Sequence, residues 1–207
     1  MMTDKIADPR PVCPVCLDTT DTKFLLGGYR IDACRDCAHQ FANVTPSRNH
    51  VAQQFDDQYF VGGGTSGYAD YLASSKLLRE HGERYAKIVG QILGNQPLPK
   101  KKTLLDVGCA AGFVMQGFTP YGWSPVGLDP NASMVEHARN NGQQAYPGTL
   151  ETMFSRSTQF PGYGQYDLVT LIQVIAHFSN LSKAMDNLSQ LVCADGHVWS
   201  KLGTVPA

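Results

Sequence analysis

Apolar and polar positions alternate in two rhythms along this chain, and the second half is the more regular. From Thr103 onward short apolar runs are separated by stretches of helical spacing. "TLLDVG" predicts a strand, "FVMQGFTP" a short helix, "PVGLD" a strand and "ASMVEHARN" a helix. "QAYPG" then predicts a weak strand, "YDLVTLIQ" a strand, "NLSKAMDNLSQLV" a helix and "GHVWSKL" a strand. Strands alternating with helices predict an α/β fold: a parallel sheet with right-handed crossovers and helices on both faces. Upstream, Tyr71, Leu72, Leu78, Tyr85, Ile88, Val89 and Ile92 recur as the stripe of an amphipathic helix from Tyr68 to Leu93. "GNQPLPKKK" ends that helix, "VGGGTSG" reads as a flexible joint, and "KFLLGGYRIDAC" reads as two short strands around Gly27 and Gly28. The expected organisation is a small N-terminal module over residues 1–50, a helical connector or cap over 51–100, and the α/β domain over 101–207.

Composition narrows the setting. The 207 residues are 43% hydrophobic and 17% charged, ample for a core and unlike a disordered chain. A formal net charge of -1 gives no general attraction to nucleic acid or to anionic membranes. "MMTDKIADPRPVCPVC" lacks the apolar core of a secretory signal. No segment approaches the roughly 18 uninterrupted apolar residues needed to cross a bilayer, so a soluble cytoplasmic protein without membrane association is expected.

Four of the six cysteines, Cys13, Cys16, Cys34 and Cys37, form two C-x-x-C pairs separated by 17 residues. That spacing fits a tetrahedral zinc site, and four thiolates leave no open coordination position, so the expected zinc is structural. A nucleic-acid-binding ribbon would carry a positive excess. Residues 1–50 instead balance six basic residues (Lys5, Arg10, Lys23, Arg30, Arg35, Arg48) against six acidic ones (Asp4, Asp8, Asp18, Asp21, Asp32, Asp36).

The turn after "TLLDV" carries the candidate chemistry. Gly108, Ala110 and Gly112 let the backbone turn tightly and approach a ligand. The spacing is not that of a dinucleotide fingerprint, whose third glycine would fall at Phe113. Asp106 would repel a phosphate but attract an ammonium group, and Asp129, about 20 residues past the turn, stands where a carboxylate accepts hydrogen bonds from ribose hydroxyls. An amino-acid end at Asp106 and a ribose at Asp129 describe S-adenosylmethionine.

Here the sequence resembles the class I S-adenosylmethionine-dependent methyltransferases, through "LLDVGCAAGFVMQGF", "VGLDPNASMVEHAR", "GTLE" and "YDLVTLIQVIAHF" in the family's order. The resemblance spans about residues 100–201 and implies a Rossmann-like sheet. It also implies roles for individual residues. Gly108, Cys109, Ala110 and Gly112 belong to the turn whose backbone would line the methionine part, with Asp106 fixing its amino group. Asp129 would hold the ribose, with Pro130 and Asn131 near the adenine. Thr149 and Leu150 would meet the adenine edge, although an acid is commoner in the family at the position of Thr149. Gln173 and the residues after it would close the floor beneath the sulfonium. His177 is the candidate catalytic base, with Tyr68 and Tyr71 as cap residues; Gln173 and Ala176 stand where many members carry acids.

A ribbon, a "GYADYL" helix and then the cofactor domain together resemble bacterial zinc-ribbon methyltransferases, many of which modify sugars or other small molecules. A small-molecule methyl acceptor follows. Two alternatives stand beside it: an RNA base as acceptor, and a non-catalytic chain that binds cofactor or a partner. The family continues past the fifth strand with a helix and an antiparallel hairpin, whereas "GHVWSKLGTVPA" stops. The expectation is a C-terminally truncated sheet lacking its last strands. Its fifth strand would form an apolar edge that a homo- or hetero-oligomeric partner covers.

Overall fold

Gly27 and Gly28, at φ +56° and +84°, close the hairpin of β1 (Thr20–Leu26) and β2 (Tyr29–Cys34). Positive φ at both central residues gives the turn a twist that matches its strands. β3 (Gln40–Ala42) adds to β2, completing an antiparallel sheet in the order β1-β2-β3. This is the computed structural model of the chain, and it describes residues 11–44, 50–62, 67–94, 102–154, 160 and 165–202. Two compact units result, Met1–Ser47 and Arg48–Ala207. The first buries little: among its described residues Cys13, Cys34, Thr20 and Asp32 are buried, while Leu25 and Leu26 stand exposed. Asp32 accepts a hydrogen bond from Asn43 Nδ2 at 2.7 Å and lies 3.2 Å from Arg30 Nε.

The second unit begins with α1 (His50–Gln54) and α2 (Asp57–Phe60), followed by α3 (Ser75–Leu93). The expected joint at 61–67 and the linker after α3 lie largely outside the described residues. Helix α3 starts later than the sequence suggests. Asp70 Oδ1 accepts the Ala73 N–H at 2.9 Å, and a 3-10 turn over Leu72–Ser74 precedes the α-helix, so Tyr68 and Tyr71 stay outside it. Its buried stripe also differs. Gly82, Tyr85, Ala86, Val89 and Leu93 face inward, whereas Ile88 and Ile92 are exposed. Gly82 sets this rotation: a Cβ there would strike the carbonyl oxygen of Val114 and approach Gly117.

The strands are β4 (Lys102–Val107), β5 (Trp123–Asp129), β6 (Gln144–Pro147), β7 (Tyr166–Ile172) and β8 (Val192–Lys201). They form one parallel sheet in the order β6-β5-β4-β7-β8. The helices α4 (Phe113–Gln116), α5 (Ala132–Asn140) and α6 (Leu181–Leu191) lie between them in the chain. Leu104 and Leu168 pack with Tyr85, Val89 and Leu93 of α3; Leu105, Val169 and Leu171 pack with Ala184, Leu188 and Leu191 of α6. Alternate strand residues thus meet helices on opposite faces, as a doubly covered sheet requires. After β4 the chain steps outward to β5 and β6, then returns to β7 and β8 on the other side. The reversal lies between β4 and β7, where such sheets bind ligands.

β8 is an edge among the described residues, but it is not the apolar edge expected. It carries Asp195, His197 and Lys201, with Val198 its exposed large apolar side chain. Its pairing with β7 jumps from Tyr166↔Val192 to Leu168↔His197, an irregularity that leaves "CADG" out of register. Charge and a bulge are two devices that blunt a sheet edge. Among the described residues no helix is long and apolar enough to cross a membrane.

Candidate cofactor and metal sites

A cavity of about 440 Å³ opens at the carboxyl ends of the strands. The turn after β4 forms one wall. Gly108 has φ +77° and its N–H donates to Leu128 O at 2.7 Å, which draws the turn across the end of β5. A Cβ on Gly108 would strike Val174 Cγ1, so the chain could not pass here with a side chain. Ala110 also adopts a left-handed conformation, φ +46°, which costs an L-residue about 1 kcal/mol or more.

Two buried carboxylates face this turn. Thr170 donates from Oγ1 to Asp106 Oδ1 at 2.6 Å across the β4–β7 pair. Asp129 accepts the Ala110 N–H at Oδ2 and the Asn131 N–H at Oδ1, both at 2.8 Å. Burial pushes Asp106 up to about 7, against the Thr170 hydrogen bond and with the help of the Asp129 charge. Burial likewise pushes Asp129 up to about 6, opposed by its two backbone donors. Among the described residues the ion pairs are Arg30–Asp32 and Arg35–Asp21, both in the first unit, so neither site carboxylate has a cationic partner. Buried negative charge without a counter-ion is costly, and a cationic ligand would relieve it.

Most of the residues picked out in the sequence meet at this cavity. Asp106, Gly108, Cys109, Ala110, Asp129, Pro130, Thr149, Leu150, Gln173 and His177 line it, as do Tyr68 and Tyr71. Gly112 does not. At φ +79° it caps α4, and a Cβ there would press on Met115 Cε at 2.8 Å and on Ala138, so it packs the turn instead. Nor does Asn131 line the cavity. Its side chain caps α5 by accepting the Met134 N–H at 2.9 Å, and its Nδ2 donates to Phe55 O at 3.0 Å and Asp57 Oδ1 at 3.1 Å. Cys109 is buried beside Gly127, whose Cβ would meet its sulfur.

The roof of the cavity contains the two expected cap residues, Tyr68 and Tyr71, together with Phe55 and Tyr59, which the sequence does not single out. Phe55 and Tyr59 come from the segment of α1 and α2, and Tyr59, Tyr68 and Tyr71 interlock through edge-to-face contacts: Tyr59–Tyr68 at 5.7 Å and Tyr68–Tyr71 at 4.9 Å. The His177 ring, in a 3-10 turn after β7, meets Phe55 edge-on at 4.8 Å. Burial raises the hydroxyls of Tyr59, Tyr68 and Tyr71, which keeps this roof neutral. On the far side His81, Tyr85 and Lys201 line the cavity, and Lys201 Nζ donates to Tyr85 Oη at 3.1 Å. Phe55, Tyr59 and Tyr85 carry no sequence signal for this cavity beyond apolarity.

In the first unit the ligand atoms of Cys13, Cys16, Cys34 and Cys37 all lie within 4.8 Å of one another. Cys16 Sγ is 3.3 Å from Cys34 Sγ and 3.5 Å from Cys37 Sγ, and Cys13 Sγ is 3.6 Å from Cys37 Sγ. Tetrahedral Zn–S bonds of about 2.3 Å place sulfurs roughly 3.8 Å apart, so the donor set fits zinc. The two knuckles end alike, with Leu17 after Cys16 at φ +65° and Ala38 after Cys37 at φ +59°.

A parallel sheet with a glycine turn after its central strand and a carboxylate ending the next strand is a Rossmann-like arrangement, the one shared by class I S-adenosylmethionine-dependent methyltransferases. Residues 77–202 match the family described as "Methyltransferase domain", and the chain belongs to it. Over 103 residues it is 31% identical to the ubiquinone biosynthesis O-methyltransferase of Yersinia enterocolitica, covering 47% of this chain and 41% of that protein. The chain spans less than half the length of the curated relatives it matches. The solved CurJ carbon methyltransferase superposes with a TM-score of 0.53 at 15% identity, over 76% of this chain and 46% of that one. DesVI of Streptomyces venezuelae superposes with 0.50 at 20% identity, over 66% and 55%. Identities that low show the shared fold alone.

Proposed function

We propose that this chain is an S-adenosylmethionine-dependent methyltransferase acting on a small molecule, with a structural zinc in its N-terminal ribbon. The observation that carries the reading is the pair of buried carboxylates, Asp106 and Asp129, on the walls of one cavity without a counter-cation among the described residues. When bound, S-adenosylmethionine supplies a sulfonium methyl already activated for in-line displacement.

The chain's own work is alignment and exclusion of water. Asp106, oriented by Thr170, receives the ligand's ammonium group. Each Asp129 oxygen accepts one backbone N–H and keeps a lone pair for a ribose hydroxyl. Gly108 and Ala110 present backbone to the methionine part, Pro130 lies by the adenine, and Thr149 and Leu150 meet its edge. Gln173, at φ +62°, closes the floor. His177 takes the proton from an acceptor hydroxyl or carbon at a ring nitrogen, while Tyr59, Tyr68 and Tyr71 keep water out.

Calorimetry with S-adenosylmethionine and its demethylated product tests the reading. Saturable binding that weakens at least about tenfold in Asp129→Ala is expected, because charge-assisted hydrogen bonds are each worth about 1.5–3 kcal/mol. No binding to the wild-type chain would overturn it. NAD should not bind, since Phe113 occupies the place of the third glycine.

A further inference from the structure

The charged groups of the cavity are sorted by side. Asp106 is the last residue but one of β4, Asp129 ends β5, and Glu151 follows β6, so all three carboxylates come from the β6-β5-β4 side of the sheet. Glu151 is held there by the Ser179 N–H at 3.0 Å. His177 follows β7, and Lys201 ends β8. Strands lie about 4.8 Å apart, so Lys201 stands about 14 Å across the sheet from Asp129. The acidic side suits the cationic cofactor. What remains for the acceptor is the β7-β8 side, and its fixed charge is positive.

The chemistry of that side is specific. Lys201 Nζ donates to Tyr85 Oη at 3.1 Å and stands 5.3 Å from the Tyr85 ring centre, with no carboxylate in ion-pair range among the described residues. Tyr85 is fixed by Trp199 of β8, edge-on at 4.8 Å. His81 lies one helical turn before Tyr85 on α3, with ring centres 6.3 Å apart. The roof is the neutral tyrosine cluster. A sugar would ask for walls dominated by hydrogen-bonding side chains, whereas here Tyr85 Oη already accepts from Lys201 and the lining is mostly apolar, with Leu77, Leu78, Val114 and Ile172 beside the aromatic rings and Ser74 and Gln173 among its few polar side chains. Mostly apolar walls and an ammonium group that has no carboxylate partner among the described residues fit a planar ring bearing an anionic group.

Resting on the methyltransferase reading above, we propose that the acceptor is an aromatic acid whose anionic group seats on Lys201, with its ring between Tyr85 and the tyrosine roof. The test uses the full zinc-loaded chain saturated with S-adenosylhomocysteine, titrated with para-hydroxybenzoate and with the isosteric neutral para-hydroxybenzamide. The acid should bind at least about tenfold more tightly, the worth of one charge-assisted hydrogen bond. Lys201→Met should erase that preference while S-adenosylhomocysteine still binds, and Lys201→Arg should keep it. Equal binding of acid and amide, binding of neither, or a preference that survives Lys201→Met would overturn the proposal and leave the cofactor reading intact. Failure of S-adenosylhomocysteine itself to bind would overturn the methyltransferase reading, and this proposal with it.

Discussion

Thr170 and Asp106 are register partners on β7 and β4, and the Thr170 hydroxyl donates to the Asp106 carboxylate at 2.6 Å inside the sheet. One short hydrogen bond does not offset full burial, which pushes Asp106 up to about 7 and Asp129 up to about 6. Both values lie above the ordinary carboxylate range near 4, so at mildly acidic pH the folded chain holds protons that the unfolded chain has released. The sign follows: this contribution to stability is complete below about pH 4 and is lost as pH rises through about 6 to 7. We expect the ligand-free chain to melt at a lower temperature at pH 8 than at pH 5. The rise in melting temperature given by S-adenosylhomocysteine, whose ammonium group neutralises the site, should be larger at pH 8. Thermal scans with and without ligand measure both; a pH-independent ligand effect would show that the carboxylates do not face it.

The strained turn gives a prediction of opposite signs at neighbouring positions. Gly108→Ala places a Cβ against Val174 at a residue with φ +77°, so it should cost about 1–3 kcal/mol and weaken cofactor binding. Ala110→Gly relieves a left-handed alanine at φ +46° and should stabilise the chain by up to about 1 kcal/mol with binding retained. Denaturant titration of both variants distinguishes them.

How much of this was readable in advance divides by the range of the interaction. The strand and helix alternation from β4 to β8 and the cysteine pairs are local patterns, and they match the structure closely. The rotation of α3 departs from its apolar periodicity because it depends on backbone contact between Gly82 and the Val114–Gly117 segment, 32 to 35 positions on, which periodicity cannot register. The family resemblance implies Asn131 near the adenine, but it gives no sign of the side chain's partners, Phe55 and Asp57, which lie 76 and 74 positions away. Lys201 passed unnoticed because a lysine closing an edge strand looks solvated until the sheet order sets it beside the cavity.

Asn131 and Asp57 supply a third test. Asp57 Oδ1 accepts from Asn131 and Oδ2 accepts from Ser133 Oγ at 3.2 Å, which ties α2 to the start of α5. The tie carries Phe55 and Tyr59 over the cavity. Asp57→Ala should lower cofactor affinity several-fold with little loss of global stability, because a typical hydrogen bond contributes a net of about 1 kcal/mol and Asn131 keeps its bond to Phe55 O. Hydrogen exchange should rise in residues 50–60 and stay unchanged in β4. Unchanged exchange in residues 50–60 would show that ring packing alone holds the roof.

The metal prediction rests on what the ribbon lacks. Its three strands leave Leu25, Leu26 and Tyr29 exposed, and its buried residues among those described are two cysteines, a threonine and an aspartate. So little apolar burial does not offset the backbone entropy of some thirty ordered residues, at about 1–2 kcal/mol each. Four thiolates converging within 4.8 Å supply the remedy, since a structural zinc contributes on the order of 10 kcal/mol in small zinc-folded peptides. Protein purified without chelators should therefore hold one zinc per chain by elemental analysis. Cys34→Ser should lose the metal and the amide protection of β1 and β2, while S-adenosylhomocysteine binding persists because Asp106 and Asp129 belong to the other compact unit. A metal-free wild-type chain, or a Cys34→Ser ribbon with unchanged protection, would show that side-chain packing holds this module together without zinc.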